Sequence, residues 1–580
     1  MAKVLSVRDL TFFGIAAIIG AGIFSSIGSA CFSGGPAVIL LFLICAVACG
    51  FTAMCYAEFA SRVPLSGSAY TYAYVSFGEV FAWIIGWALI MEYSIGNIYV
   101  AFSWSGYFTN LLQACHIHIP YWLTSNYNES KAAFNHAVTF GADYANYVAG
   151  HASQVSESFN EWLKSEEIQE SINKGSTIPQ LFNKTQADLV GTEEYKSWTA
   201  APIVSGLRII FDLPAVMINI IITWLVIVGV KESKNVSNIM VIIKLAIIAL
   251  VIAVGVFYVD IDNWVPFMPK GFNGVMAGVA SVFFAFIGFD AVSTLAEECK
   301  NPQRDLPRGM IYSLLISTII FVVLTLVLTG MVSYTALNVS DPLAEIFALK
   351  GVKWMLFIVS ISAVVAMTSV ILVFQMGQPR IWMTMSRDGL MPKRFASIHP
   401  KYKTPAFATI ITGLVVGIPI FFTDRDFILD FTSIGTLFAF TLVCGGVLVL
   451  PKRTDDQTGK FKLPYVNSKW IVPFTILITF TLLFIFNKDF FTNLFNINSD
   501  NAVTNIPMIV FLLGCVLMSV LSFLKNLSLI PTLGLLSCMY LFTGFNVANW
   551  KWFFWWMVIG LVVYLCYGFR KSKLNKANKS

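Results

Sequence analysis

Charge is the scarcest property of this sequence. Asp, Glu, Lys and Arg supply only 12% of its 580 residues, about half the share of a soluble domain. That shortage excludes a water-facing globular surface for most of the chain. What remains is 57% hydrophobic, with 50 Phe and 15 Trp, a composition suited to lipid and its interfaces. Paired cysteines are missing as well: there is no CxxC, and the ten cysteines lie mostly in apolar runs, as at Cys45, Cys49, Cys444, Cys515 and Cys566. They read as small buried hydrophobes rather than a metal or disulfide framework. GxSxG, HExxH and any His/Cys/carboxylate cluster on one span are absent too, so no enzyme, no cofactor and no metal is expected. The net charge of +6 is dispersed over short loops and gives no nucleic-acid partner. The first apolar stretch has no small-residue cleavage site and reads as a retained span.

What the chain has is apolar segments of spanning length, about 20 residues each. They fall near 10–32, 37–60, 80–112, 209–230, 236–257, 274–296, 310–333, 354–384, 405–422, 427–450, 470–487, 506–524, 527–545 and 552–569. The fold class expected is an all-α polytopic membrane protein. Alternate loops carry the basic residues: "KESKN" (231–235), "KNPQRDLPRG" (300–309), "RDGLMPKRFASIHPKYK" (387–403), "PKRTDDQTGKFK" (451–462) and the tail "RKSKLNKANKS" (570–580). The bias of Lys and Arg toward the inner face predicts cytoplasmic N- and C-termini in a multi-pass protein of the cell membrane.

Residues 113–202 differ in kind. They are polar, with ten Asp/Glu, five Lys, no Arg and four of the five histidines (His116, His118, His136, His151). The organisation expected is spans one to three in 1–112, a polar extracytoplasmic insertion in 113–202, spans four to ten in 203–455, and about four C-terminal spans with a basic tail in 456–580. The insertion reads either as a lid or partner-binding cap, its partner unknown, or as an ordinary insertion between spans.

Two spans carry glycine interruptions near mid-membrane: "IIGAGIF" in span one and "FFAFIGFDAVS" (283–293) in span six. Corresponding Gly-interrupted segments point to a carrier's binding site, because unwound backbone is tolerated in a membrane only where it lines a cavity. A broken helix presents N–H groups to a carboxylate, and free carbonyls at the other break suit an ammonium group. A zwitterion matches both. The alternative for span one is close packing through small-xxx-small pairs such as Ala16 with Gly20 and Ala17 with Ala21, and Gly14 reads as packing alone.

"IIGAGIF", "FFAFIGFDAVSTLAEECKNPQRDLPRGM" (283–310), "GQPRIWMTMSRDGLMP" (377–392), "YAEFASRVPLSGSAYTYAYVSFGEVFAWIIGWALIMEY" (56–93) and "WWMVIGLVVYLCYGFRKSK" (555–573) resemble the amino acid–polyamine–organocation superfamily, in its cationic-amino-acid-transporter-like branch. The resemblance covers most of residues 5–455 and resumes near the C-terminus. It implies a ten-helix core of two inverted five-helix repeats, with about four further C-terminal helices, and an amino acid held between spans one, three, six and eight. It implies that Ala21 and Gly22 offer N–H groups to the substrate carboxylate, and Gly20 is read with them as part of the substrate-binding site. Phe284, Ala285 and Ile287 would offer carbonyls to the ammonium, with the Phe284 ring as an outer gate, and Ile18 and Met367 would line the side-chain pocket.

Lys244 is the only charge in "NIMVIIKLAIIALVIAVGVF" (238–257), and a Lys at helix centre costs about 2.5–3.5 kcal/mol on insertion scales. The resemblance places it where sodium-coupled relatives hold their ion, between span-one carbonyls and span eight, which makes the proton the expected coupling ion. Snorkelling to the interface or a static counter-charge is the alternative. Glu92, on span three, is either a second proton-handling group or a partner for polar groups between helices. Glu58 and Arg62, one turn apart, read as an ion pair, and Asp290, Glu297 and Glu298 as gate or loop-anchoring charges. The apolar pocket positions favour neutral amino acids, since an unpaired buried charge is expensive. The function expected is proton-coupled amino acid uptake by alternating access. The rival expectations are an amino acid exchanger and a transporter-like sensor without net flux.

Overall fold

Lipid leaves the backbone no partner but itself, so apolar runs of this length close into helices. A computed structural model describes residues 3, 5–151, 154–339, 342–423, 425–450, 461–486, 488–495, 502–545 and 547–573, a few of them by backbone alone. Among them, nine helices are long and apolar enough to cross a membrane. The shorter apolar helices Leu213–Val228, Ala406–Phe421, Ile471–Ile485 and Leu529–Gly544, with the interrupted stretch 271–298, stand where the sequence places the remaining spans. The protein is an all-α, multi-pass membrane protein.

Burial sorts interior from periphery. In spans one (Val7–Phe24) and three (Glu79–Ala114) the apolar window is 82% and 83% buried, against 17% in Asn505–Lys525 and 22% in Trp550–Lys571. Span three is locked to span eight (Lys353–Arg387) by the Tyr93–Phe374 ring pair, by Trp104 Nε1 donating to Thr368 Oγ1 at 2.9 Å, and by Gln378 Nε2 donating to Ser94 Oγ at 2.6 Å. Span ten (Arg425–Val449) sets Phe440 among Tyr56, Phe283 and Phe289. The last span docks on span three, with Trp556 stacked on Trp87 and Trp83 Nε1 donating to the Gly560 carbonyl.

One face gathers Leu5 and Lys573, near the two ends of the described residues. Leu5 forms a parallel bridge to Cys299, the Glu297 N–H donates to Ser66 Oγ at 3.1 Å, and the Lys573 N–H donates to the Asp388 carbonyl at 3.2 Å. Span three starts at this face with Glu79, which takes hydrogen bonds from Tyr564 and Ser572. After a helix of 36 residues it ends at Ala114 beside the insertion, so the insertion occupies the opposite face.

The insertion is helical, over Tyr127–Val148, Glu157–Lys164, Glu166–Asn173, Ile178–Gly191 and Glu193–Ala200. It has an aromatic centre of its own, in which Phe140 meets Phe159, Trp162 and Phe182 at 5.1–5.4 Å between ring centroids. Asn126 and Asn128 fasten it to the Thr423 and Phe422 carbonyls between spans nine and ten. Eight of the ten cysteines are buried; Cys115, where span three meets the insertion, and Cys566, in the last span, are exposed.

Candidate functional site

Span six breaks as its sequence predicts. The helix Val279–Phe286 stops, Ile287 is extended, and Gly288 takes φ +119°, a left-handed conformation that side chains rarely adopt. The chain resumes as a tight 3₁₀ turn over Asp290–Glu298. The Ile287 N–H closes onto the Phe284 carbonyl at 3.1 Å.

Span one differs from expectation. Its helix runs from Val7 to Ala21 without unwinding, widens into a π turn over Gly22–Ser26, and continues as Ile27–Gly34. The Gly22 N–H bonds to the Ile18 carbonyl, and Ser26 Oγ donates to the Gly22 carbonyl at 3.2 Å. The physical reason is that glycines permit a change of helical pitch as readily as an unwound gap, and a π turn keeps backbone groups satisfied; such turns recur at functional sites. Of Ala21 only the backbone is described.

The glycines are where the two spans touch. A side chain on Gly22 would meet Ala285 Cβ at 2.6 Å and Phe321 at 2.8 Å, and one on Gly288 would strike Ala17. Each span thus offers a glycine to an alanine of the other. Gly20 faces span eight instead, at Val370 and the Ala366 carbonyl, next to Met367. Gly14 leaves room for Ser313 and Val292. Ile18, Phe284, Ala285, Ile287 and Met367 are all buried, and the Phe284 ring meets Tyr99 of span three edge-on, with 4.7 Å between centroids.

Lys244 is fully buried, 14 residues into the helix Val230–Gly255. Its Nζ donates to the Ala16 carbonyl at 2.9 Å and to Ser369 Oγ, on span eight, at 3.3 Å. The side chain does not reach for the interface. Ala16 adjoins Ala17, which packs on Gly288, so the ammonium is tied to the contact between spans one and six. Glu92 lies elsewhere, buried near Thr436 and within electrostatic reach of Asp290, with no hydrogen bond of ordinary geometry to either carboxylate oxygen. Asp290 takes a hydrogen bond from Tyr93 OH at 3.0 Å. The two sequence-predicted proton-handling residues are therefore on separate helices in separate clusters.

Sequence reasoning missed Ser369 and Tyr93, whose side chains hold Lys244 and Asp290; serines and tyrosines are too common in these helices to stand out. Glu298 and Glu297 do anchor: Arg380 of span eight meets Glu298 at 2.7 Å, both about 5% exposed, and Arg387 meets Glu297 at 3.1 Å. Glu58 and Arg62 pair at 2.7 Å.

Comparison with known proteins follows the same lines. The family described as Amino acid permease matches residues 5–521. A branched-chain amino acid permease of Bacillus subtilis is 34% identical over 578 residues, covering 99% of this chain and 95% of that protein. A methylthioribose transporter of the same bacterium is 38% identical over 469 residues, 80% of this chain and 85% of that protein. The vacuolar cationic amino acid transporter 2 of Arabidopsis thaliana is 32% identical over 464 residues, 79% of this chain and 61% of that protein.

Proposed function

This chain belongs to the amino acid permease family, and from that membership we propose that it imports neutral amino acids by proton symport through alternating access. The observation that carries the coupling is Lys244, buried with its Nζ on the Ala16 carbonyl and Ser369. An amine in that position links spans one and eight while it holds its proton and loosens them when it gives the proton up. The substrate sits, on this reading, where the Gly22–Ala285 and Ala17–Gly288 contacts now close spans one and six. Those contacts part to admit a zwitterion, with Ala21 and Gly22 toward its carboxylate and Phe284, Ala285 and Ile287 toward its ammonium. Glu92 is the second proton-handling group.

Ile18 and Met367 give the side chain an apolar surround, in keeping with the relative named as a branched-chain permease. The core is read as two inverted five-helix repeats, with both termini and the face of Leu5 and Lys573 cytoplasmic, the insertion outside and the host bilayer the cell membrane. Uptake into proteoliposomes, with pH and Na⁺ gradients imposed separately, tests the proposal. Accumulation driven by an inward proton gradient is expected; accumulation driven by Na⁺ alone, or counterflow without net uptake, overturns it.

A further inference from the structure

The stretch that leads from the insertion into span four carries little charge. Between Lys196 and Asp212 the only charged side chain is Arg208, whereas residues 113–202 hold ten Asp and Glu. Arg208 is occupied: its guanidinium lies 5.1 Å from the Trp198 ring centroid and donates to the Trp198 carbonyl. Asp212 is occupied too, accepting from Ser105 Oγ at 2.6 Å and from the Ala215 N–H at 2.9 Å.

The segment between them folds into a tight hairpin. Ser205 and Gly206 take φ of +51° and +82°, as a two-residue turn between antiparallel strands requires. Val204 then pairs with Leu207, and Ile203 with Arg208. Successive strand residues point to opposite faces, yet Ile203, Val204 and Leu207 are all between 55% and 70% exposed. Neither face is covered. A lone two-stranded hairpin is marginal in water, so apolar side chains on both faces call for a surrounding medium.

Its tether supplies one. The Phe211 N–H donates to the Trp122 carbonyl at 3.0 Å, and its ring meets Phe421, where span nine ends, with 5.8 Å between centroids. Leu207 is four residues from Phe211, at most about 14 Å of chain. Span four begins at Leu213 and turns Met217, Ile220 and Trp224 outward to lipid. The apolar tip is thus held where spans four and nine leave the hydrocarbon.

We propose that the 203–208 hairpin is a membrane-interface anchor, with Ile203, Val204 and Leu207 set among the headgroups and upper acyl carbons of the adjoining leaflet. Exposed apolar clusters mark protein or membrane contacts. A partner protein would cover one face and leave the other wet, which is why lipid is the occupant assigned. The inference rests on membrane embedding alone and holds for any substrate or coupling ion.

The test is an NBD fluorophore on Val204→Cys in the full-length protein, in nanodiscs, where both leaflets meet the buffer. Cys115→Ser and Cys566→Ser remove the two exposed thiols. Quenching by doxyl lipids is expected to place the label about 5–10 Å into the headgroup–acyl boundary, with iodide quenching lost. A label on Val148→Cys, exposed at the end of the first insertion helix, is the control and should show the reverse. Leu207→Asp, opposite the label, should restore iodide quenching at position 204 to the control level. An unchanged melting temperature shows that each variant is folded; if Val204→Cys is not, a label on Ile203→Cys gives the same comparison. Iodide quenching at position 204 equal to the control overturns the proposal. So does a label shielded from both quenchers, which would mean that protein covers the hairpin.

Discussion

Lys244 joins three helices through one nitrogen. Its replacement tests coupling directly: Lys244→Ala is expected to abolish pH-driven accumulation while leaving substrate exchange measurable, in proteoliposomes with and without a proton gradient. A variant that keeps full accumulation ends the coupling role. Ser369→Ala, which removes one of the two acceptors of the Nζ, should shift the pH dependence of uptake without eliminating it. Gly22 is a more demanding position than its sequence implies. A side chain there meets Ala285 and Phe321, and overpacking of this kind costs about 1–3 kcal/mol. Gly22→Leu is therefore expected to abolish uptake and also to lower the melting temperature, whereas Ala21→Ser should leave uptake nearly intact. Loss of uptake by Gly22→Leu with an unchanged melting temperature would argue that the clash is relieved by opening the site.

At the scale of elements, span six is two pieces with different anchors. Its first half leans on spans one and ten, and its 3₁₀ continuation is tied to span eight through Arg380–Glu298 and Arg387–Glu297. Removing one partner of a buried pair leaves the other uncompensated, at about 3–5 kcal/mol. Glu298→Gln should thus lower the melting temperature clearly, while Glu297→Gln, at a more exposed pair, should change it little; a thermal-shift assay in detergent separates the two.

Much of this architecture was legible in the sequence because lipid imposes one demand, an unbroken apolar run, and each span meets it visibly. Lys244 stood out as a lone charge, and Glu58 with Arg62 as an i, i+4 pair. Arg380 and Glu298 are 82 residues apart, and local spacing carries no trace of such a contact. Span one shows the other limit. Gly20 and Gly22 mark a departure from α geometry, but whether the chain unwinds or widens into a π turn depends on neighbours from spans six and eight.

For the whole molecule, competition against labelled substrate reads out the neutral, apolar pocket. Leucine is expected to compete strongly with labelled substrate, and alanine more weakly in proportion to its buried apolar area. Arginine should compete poorly, since no carboxylate is placed against Ile18 or Met367 among the described contacts; strong inhibition by arginine alone would overturn the neutral assignment. The distribution of thiols has a practical consequence for sidedness. With eight cysteines inside the protein and Cys566 on a helix surface within the membrane, Cys115 is the native handle for a water-soluble, membrane-impermeant maleimide. Intact cells should label at that single position if the insertion faces outward, and Cys115→Ser should erase the signal; labelling that requires permeabilised cells would turn the whole molecule over.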